Sequence, residues 1–385
     1  MAKDNLKALY HLSRMPFELG RYDSARVNRD TEWKRLHEVV ESARGSHSPV
    51  IGVLLGTYGS GKTFLLWQLA DDYSPSNKTG VVASHPIRLV DPEQKREFIR
   101  NLVLRLFRRG FDLDALVPLF KVAAKARKAL PSAVARFAPL LLALADAKAA
   151  PVARRVLHGG RALKSEAAAG GFPDAVQVRT NDDAIELLQS LQVLVRWAGI
   201  DIVTLMIDEV EFIDGLPRTQ RTPVFDSIKH LWDQEVTLFS SGVDAAQMVV
   251  ILAATPAFWQ TRSQQLRAEA HRPESIVGLR PFFDRIPQEN IIAMPAALER
   301  DEALELIVSR MSEVRPGKEE LIPFTSDYVT YVYELTQGLP RTIIEICATV
   351  LGEAARRKVK KIDRPVARNI LKDLLISYEP VAANT

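Results

Sequence analysis

A single cysteine, Cys347, in 385 residues excludes a disulfide framework. With no second cysteine and no cluster of histidines, a structural zinc site is disfavoured as well, and a reducing, intracellular setting follows. Long hydrophobic runs are also missing: no stretch of eighteen apolar residues occurs, so no segment reads as a membrane span. The N-terminus, Met1-Ala2-Lys3-Asp4-Asn5-Leu6-Lys7, has neither an apolar h-region nor a small-residue cleavage site. A cytoplasmic protein without a membrane partner is expected. Nor does one sign of charge dominate, because 51 Lys and Arg oppose 47 Asp and Glu for a formal net charge of +4. That balance permits a polyanionic partner without demanding one. What remains, 47% hydrophobic and 25% charged residues, is the composition of a globular protein of two or three domains.

The densest chemical signal is Gly56-Thr57-Tyr58-Gly59-Ser60-Gly61-Lys62-Thr63, which matches G-x-x-x-x-G-K-[ST] at every fixed position. The apolar run from Pro49 to Leu55 precedes it and Phe64 to Ala70 follows, giving strand, glycine loop, helix. Gly56 and Gly61 let successive backbone N–H groups turn inward around phosphate oxygens, and the helix presents its positive end to the same anion. In such a loop Lys62 reaches the β- and γ-phosphates and Thr63 ligates Mg²⁺. A second signal is the apolar strand Ile202 to Ile207 closed by Asp208-Glu209. Buried on both faces, such a strand projects acids from its tip. Asp208 would hold Mg²⁺, and Glu209 would orient and deprotonate an attacking water. Glu211 is a nearby substitute for that second role. A further buried strand, Met248 to Pro256, ends on Thr255, placed to hydrogen-bond a γ-phosphate or the water, although Thr-Pro is also how strands commonly stop.

Between these signals the chain alternates. Asp30 or Thr31 starts a helix to about Arg44, Thr79 to Val90 reads as a strand, and Glu93 to Arg109 as an amphipathic helix. This alternation predicts a parallel sheet with crossover helices. From 111 to 180 strand signals vanish, alanines dominate, and Pro131, Pro139, Pro151 and Pro173 cut the segment into short helical pieces. It is basic, with Lys121, Lys125, Arg127, Lys128, Arg136, Lys148, Arg154, Arg155, Arg161 and Lys164 against Asp146 and Glu166. This is either a docking surface for phosphates or an acidic partner, or a solvated helical hairpin. A final strand, Asn290 to Pro295, leads into helices at Arg300–Glu313, Ser326–Thr336 and from Gly338-Leu339-Pro340-Arg341, then into a basic stretch with Arg356, Arg357, Lys358, Lys360 and Lys361.

The glycine loop, the Asp208-Glu209 tip, Thr255, the segment Gly278-Leu279-Arg280-Pro281-Phe282-Phe283-Asp284-Arg285 and Gly338-Leu339-Pro340-Arg341 together resemble an AAA+ ATPase over roughly residues 15 to 350. The resemblance implies that Thr255 is sensor 1, that Arg341 is sensor 2, and that Arg285, or second Arg280, is the arginine finger acting on a neighbouring subunit. A guanidinium supplied in trans to developing phosphate charge is worth about 10³ to 10⁵ in rate. Within that family the arginine-rich N-terminal segment, the Gly-Leu-Pro-Arg and Met294-Pro295 are similar to origin-recognition initiators and to transposition ATPases of the TniB and TnsC type. Ile207 to Glu211 and Ala254 to Phe258 also resemble ATP-binding proteins of BREX-type defence loci. Two departures stand out: about thirty residues follow the lid, where initiators carry a winged helix, and the Ala-rich segment has no counterpart.

These readings define an α/β fold, a P-loop parallel sheet flanked by helices with a C-terminal helical lid and an Ala-rich helical insertion. The expected domains are 1–110 and 181–296 for the nucleotide-binding domain, 111–180 for the insertion and 297–385 for the lid. The expected function is hydrolysis of ATP with Mg²⁺, coupled to homo-oligomer assembly on DNA without sequence preference, or to loading a partner such as a transposase, helicase or defence component. The competing expectation is an ATP-dependent switch or scaffold on a protein partner without DNA contact. A third is that ATP only stabilises the fold.

Overall fold

Apolar residues follow one another without alternation in the central strands, which is the pattern of a parallel sheet covered on both faces. The computed structural model describes residues 2–20, 26–46, 48–89, 97–126, 128–172, 176–216, 218–269, 283, 285–315 and 321–374. The sheet contains β1 (Val50–Leu55), β2 (Val81–Ala83), β3 (Ile87–Arg88), β4 (Ile202–Asp208), β5 (Gln247–Ala254) and β6 (Ile291–Ala293). Its order is β2-β4-β5-β1-β6, with β3 also on β4, and every pairing is parallel. All seven residues of β4 are buried. Leu55 pairs with Ala254 and Ile207 with Leu252, so β1, β5 and β4 finish along one edge. That edge, at the carboxyl ends of the strands, is where open α/β sheets bind ligands.

One expected strand is two. The stretch read as continuous from Thr79 to Val90 breaks at His85-Pro86, leaving β2 and β3 as separate partners of β4. Pro86 has no N–H for the ladder, and the N–H of His85 turns away to the Gly110 carbonyl, 2.8 Å. The following helix is also shorter among the described residues: Phe98–Arg105, ending in a π-turn over Leu106–Gly110. Residues 90–96 lie outside the description.

Contacts divide the chain into two units. One comprises 34–55 and 65–293 and holds the sheet. Its core joins β-strand residues such as Val53, Leu205 and Leu252 to Phe107, Phe120, Phe137 and Leu141, so the Ala-rich segment packs into the same core as the sheet. The helix Asn181–Trp197 is fixed at its start by a reciprocal cap: Thr180 Oγ1 accepts from the Asp183 N–H, and the Asp183 carboxylate accepts from the Thr180 N–H, both 3.1 Å. The other unit comprises 1–33, 56–64 and 294–385. The expected lid helices are there, Arg300–Glu313, Ser326–Thr336, Pro340–Arg356 and Arg364–Asp373. Leu6, Tyr10, Leu12, Phe17 and Val27 share their core, which the expected boundary at 297 did not include. Cys347 is buried there, and burial pushes its thiol up to about 12. Among the described residues no helix is long and apolar enough to cross a membrane.

Candidate nucleotide-binding site

The loop after β1 is shaped by its glycines. Gly59 and Gly61 have φ of +82° and +102°, a region that side chains disfavour, and a Cβ on Gly56 would lie 2.4 Å from Ser60 Oγ. Lys62 begins the helix Lys62–Asp72 and is 8% exposed. Its ammonium donates to the carbonyls of Gly56 (2.7 Å) and Thr57 (3.2 Å). The hydroxyls of Thr57 and Ser60 are buried without a hydrogen-bond partner among the described residues. Such groups are costly unless something completes them. Thr63 stands in the first helical turn, half-buried. An ammonium and two unpartnered hydroxyls are donors that a polyphosphate can complete, so the loop fits the nucleotide that its sequence implies.

Two arginines brace this loop within the same unit. Arg341 donates from its N–H to the Gly59 carbonyl (3.3 Å) and from Nη1 to Tyr58 Oη (2.6 Å), and its guanidinium lies 4.8 Å over the Tyr58 ring. Nε binds Glu345 Oε1 at 2.8 Å, the bond chiefly responsible for raising the Arg341 pKa. Tyr58, 70% exposed, thus ties the Gly-Leu-Pro-Arg helix start to the loop. Arg29, 4% exposed, donates to the carbonyls of Ser60 (3.3 Å) and Pro295 (3.4 Å). The sequence marked Arg29 only as one of several N-terminal arginines; its burial is what singles it out.

In the sheet unit, Asp208 closes β4, 5% exposed, and its Oδ1 accepts from the Glu209 N–H at 2.8 Å. Glu209 takes a left-handed backbone, φ +55°, which turns its side chain out of the strand's alternation. Its carboxylate forms an ion pair with Arg88 of β3, the strand residue in register with Asp208, and Arg88 Nη2 also reaches Oε1 at 3.3 Å. Burial raises the Glu209 pKa; Arg88 opposes that rise, while Asp208 and Glu211 add to it. Arg88 is itself oriented by the Phe212 ring, 5.7 Å away, and its carbonyl accepts from Arg105 at 2.6 Å. Sequence reasoning missed Arg88, which sits in a two-residue strand with no motif around it.

Thr255 follows β5 and caps the helix Pro256–Glu269: its carbonyl accepts from Trp259 N (3.1 Å) and its hydroxyl from Phe258 N (3.4 Å). The hydroxyl proton stays available as a donor. Arg285 pairs with Asp233 at 3.1 Å, its guanidinium 5.7 Å over the Trp232 ring. Arg280, the second candidate for the finger, lies outside the described residues.

No family model matches the chain. Among solved structures it is similar to the Aeropyrum pernix ORC1 protein in complex with DNA, with a TM-score of 0.50 and 15% identity over 94% of this chain and 69% of that one. It is equally similar to the Aeropyrum pernix ORC2 protein, solved as ADPNP–ADP complexes, with a TM-score of 0.50 and 14% identity over 94% and 71%. A stretch of 98 residues is 38% identical to an uncharacterized HTH-type transcriptional regulator, MJ0774, of Methanocaldococcus jannaschii, covering 25% of this chain. The chain spans 23% of that relative's length. The fold is therefore that of AAA+ proteins: a parallel sheet flanked by helices, followed by a helical region. Of the resemblances read in the sequence, the one to origin-recognition proteins has its counterpart in this likeness of fold to the two ORC proteins.

Proposed function

We propose that this chain is an ATPase that binds and hydrolyses ATP with Mg²⁺ and couples its nucleotide state to oligomer assembly on DNA, or to loading of a DNA-acting partner. The observation that carries the reading is the loop Gly56–Thr63, with an ammonium resting on backbone carbonyls, two buried hydroxyls without partners, and glycines where a side chain has no room. Bound ATP and Mg²⁺ would supply a polarised γ-phosphoryl group. Lys62 then exchanges its carbonyl partners for phosphate oxygens, and Thr63 and Asp208 offer the hard oxygen ligands that Mg²⁺ prefers. Glu209 takes the proton of the attacking water, which requires its carboxylate to leave Arg88. The Thr255 hydroxyl donates toward the γ-phosphate or the water, and Arg341 reports the γ-phosphate through its tie to the loop. Arg285 or Arg280 acts in trans; Arg285 must first leave Asp233.

Glu209→Gln tests the assignment. Nucleotide binding should be kept while turnover falls by about 10² to 10⁴, the usual worth of a positioned base. Parental turnover in that variant would remove Glu209 from the mechanism. Absence of turnover in the parent, with and without DNA, would leave ATP as a structural ligand. The reading without DNA contact draws support from the Ala-rich segment, where Lys128, Arg136, Arg154 and Arg155 each pair with a carboxylate of the same chain. Those four cations are already engaged, which leaves Lys121, Lys125, Lys148, Arg161 and Lys164 as the segment's exposed cations without a carboxylate partner among the described residues.

A further inference from the structure

Eight cations and one carboxylate fall between Arg356 and Lys372. Three of the eight are neutralised: Arg356 and Arg357 by Glu353, Arg357 also by Asp373, and Arg364 by Glu334. Lys358, Lys360, Lys361, Arg368 and Lys372 are exposed and have no carboxylate partner among the described residues. Asp363, the one acid in the stretch, is used at its helix start, accepting from Val366 N at 3.0 Å.

The first three of these cations are held on a rigid turn. The helix Pro340–Arg356 ends in a pair of 6→1 and 5→2 bonds, Val359 N to Ala354 O (2.9 Å) and Lys358 N to Ala355 O (3.3 Å). That closure puts the residue after the cap into the left-handed region, where glycine is the usual choice. Here Lys358 occupies it with φ +56°. The chain carries a cation at a position whose backbone argues for no side chain, and such outliers gather at functional sites. Beyond it, Val359 O accepts from Tyr10 Oη, and Ile362, fully buried, donates its N–H to Pro323 O (2.8 Å) and accepts from Thr325 N (3.1 Å). Lys358, Lys360 and Lys361 therefore project from a strap pinned at both ends. Arg368 and Lys372 follow at i, i+4 spacing on the next helix.

We infer that this turn is a contact surface for the phosphate backbone of a nucleic acid, an inference that rests on the DNA reading above and places its contact away from the Ala-rich segment. The chemistry favours phosphates over a protein or a lipid surface. Val359 and Ile362 turn inward, and the exposed large apolar side chains nearby, Ile322 and Leu374, stand just outside the stretch that carries the cations. A protein interface would need a buried anchor and a bilayer an apolar face. Lysines alone, as point charges, hold a backbone without reading sequence.

The test uses the full chain, a duplex of arbitrary sequence and a salt series, with and without ATP, comparing the parent with K358G/K360A/K361A. Glycine at 358 suits the turn, so folding is preserved. The expected result is a fall of about 2 to 3 in the slope of log affinity against log salt, near 0.9 for each lost phosphate contact, and at least about tenfold weaker binding at low salt. ATP affinity should be unchanged. A parent that binds with the same slope and affinity as the variant overturns this inference and leaves the DNA reading intact. So does a variant that loses binding to polyglutamate or to anionic vesicles while its DNA affinity holds. A parent that binds no duplex at low salt in either nucleotide state overturns the DNA reading itself.

Discussion

In the loop Gly56–Thr63 the ammonium of Lys62 rests on two carbonyls of its own backbone, whereas at the end of β4 the carboxylate of Glu209 rests on a side chain, Arg88, from another strand. The first arrangement is assembled by local geometry and is complete once eight residues take their turns. The second depends on an arginine more than a hundred residues away in sequence, and its proton affinity is set by burial working against that arginine. A loop can thus be preformed by the backbone while the carboxylate proposed as the base stays subject to its surroundings.

The comparison can be broken most directly at Lys62. Lys62→Ala should weaken nucleotide binding by about 10- to 150-fold, the worth of charged hydrogen bonds of roughly 1.5–3 kcal/mol, with little change in melting temperature. Titration of a fluorescent ATP analogue measures it, and retained affinity would mean that the loop binds through backbone alone.

Next in size is Glu235, an acid of the sheet unit remote from β4's tip. It is wholly buried; its Oε2 accepts from Gln192 Nε2 at 2.6 Å, and its Oε1 has no partner among the described residues. Burial raises its pKa from the ordinary 4.5 to about 7. Its contribution to stability is therefore fully present below pH 4.5 and is lost as pH rises through 7. Melting followed from pH 5 to 8 should show the parent losing roughly 1–3 kcal/mol, the cost of a poorly satisfied buried group, while Glu235→Gln stays flat over that interval. Parallel curves would show that Glu235 does not control the slope.

Tyr58→Phe sharpens the loop side. It keeps the ring under Arg341 and removes the hydroxyl that accepts at 2.6 Å, for an expected loss of about 0.5–1.5 kcal/mol in ATP affinity. An equal loss on binding ADP and ATP would detach Arg341 from γ-phosphate sensing. Arg88→Ala should have the smallest effect on stability, under about 1 kcal/mol for an exposed ion pair. Its signature is the pH profile of turnover: without Arg88 the acid limb should move to higher pH, because only burial and the neighbouring acids then act on Glu209. An unmoved limb would assign that ionisation to another group.

Much of the fold was legible because it is written locally. The phosphate loop is a fixed spacing, β4 and β5 are uninterrupted apolar runs, and the helix Arg300–Glu313 was bounded correctly by its pattern. Pro86 was visible, but its effect depended on where the N–H of His85 would go, and that partner is Gly110. Arg29 and Arg88 escaped notice for a related reason: each acts through contacts that local periodicity does not encode. The same holds for Leu6, Tyr10 and Phe17, whose amphipathic pattern shows a buried face without showing what covers it.

That last pairing sets a timetable. Tyr10 hydrogen-bonds to the carbonyl of Val359, 349 residues later, so the first helix waits for that partner through most of the synthesis of the sheet unit and the helices after it. At 5–20 residues per second the wait is roughly 20–70 s. During it Leu6, Leu12 and Phe17 would be exposed on a nascent chain whose sheet unit can already be collapsing. The core of the helical unit is thus closed by its later residues, and Leu6, Leu12 and Phe17 depend on protection from aggregation until those have been made.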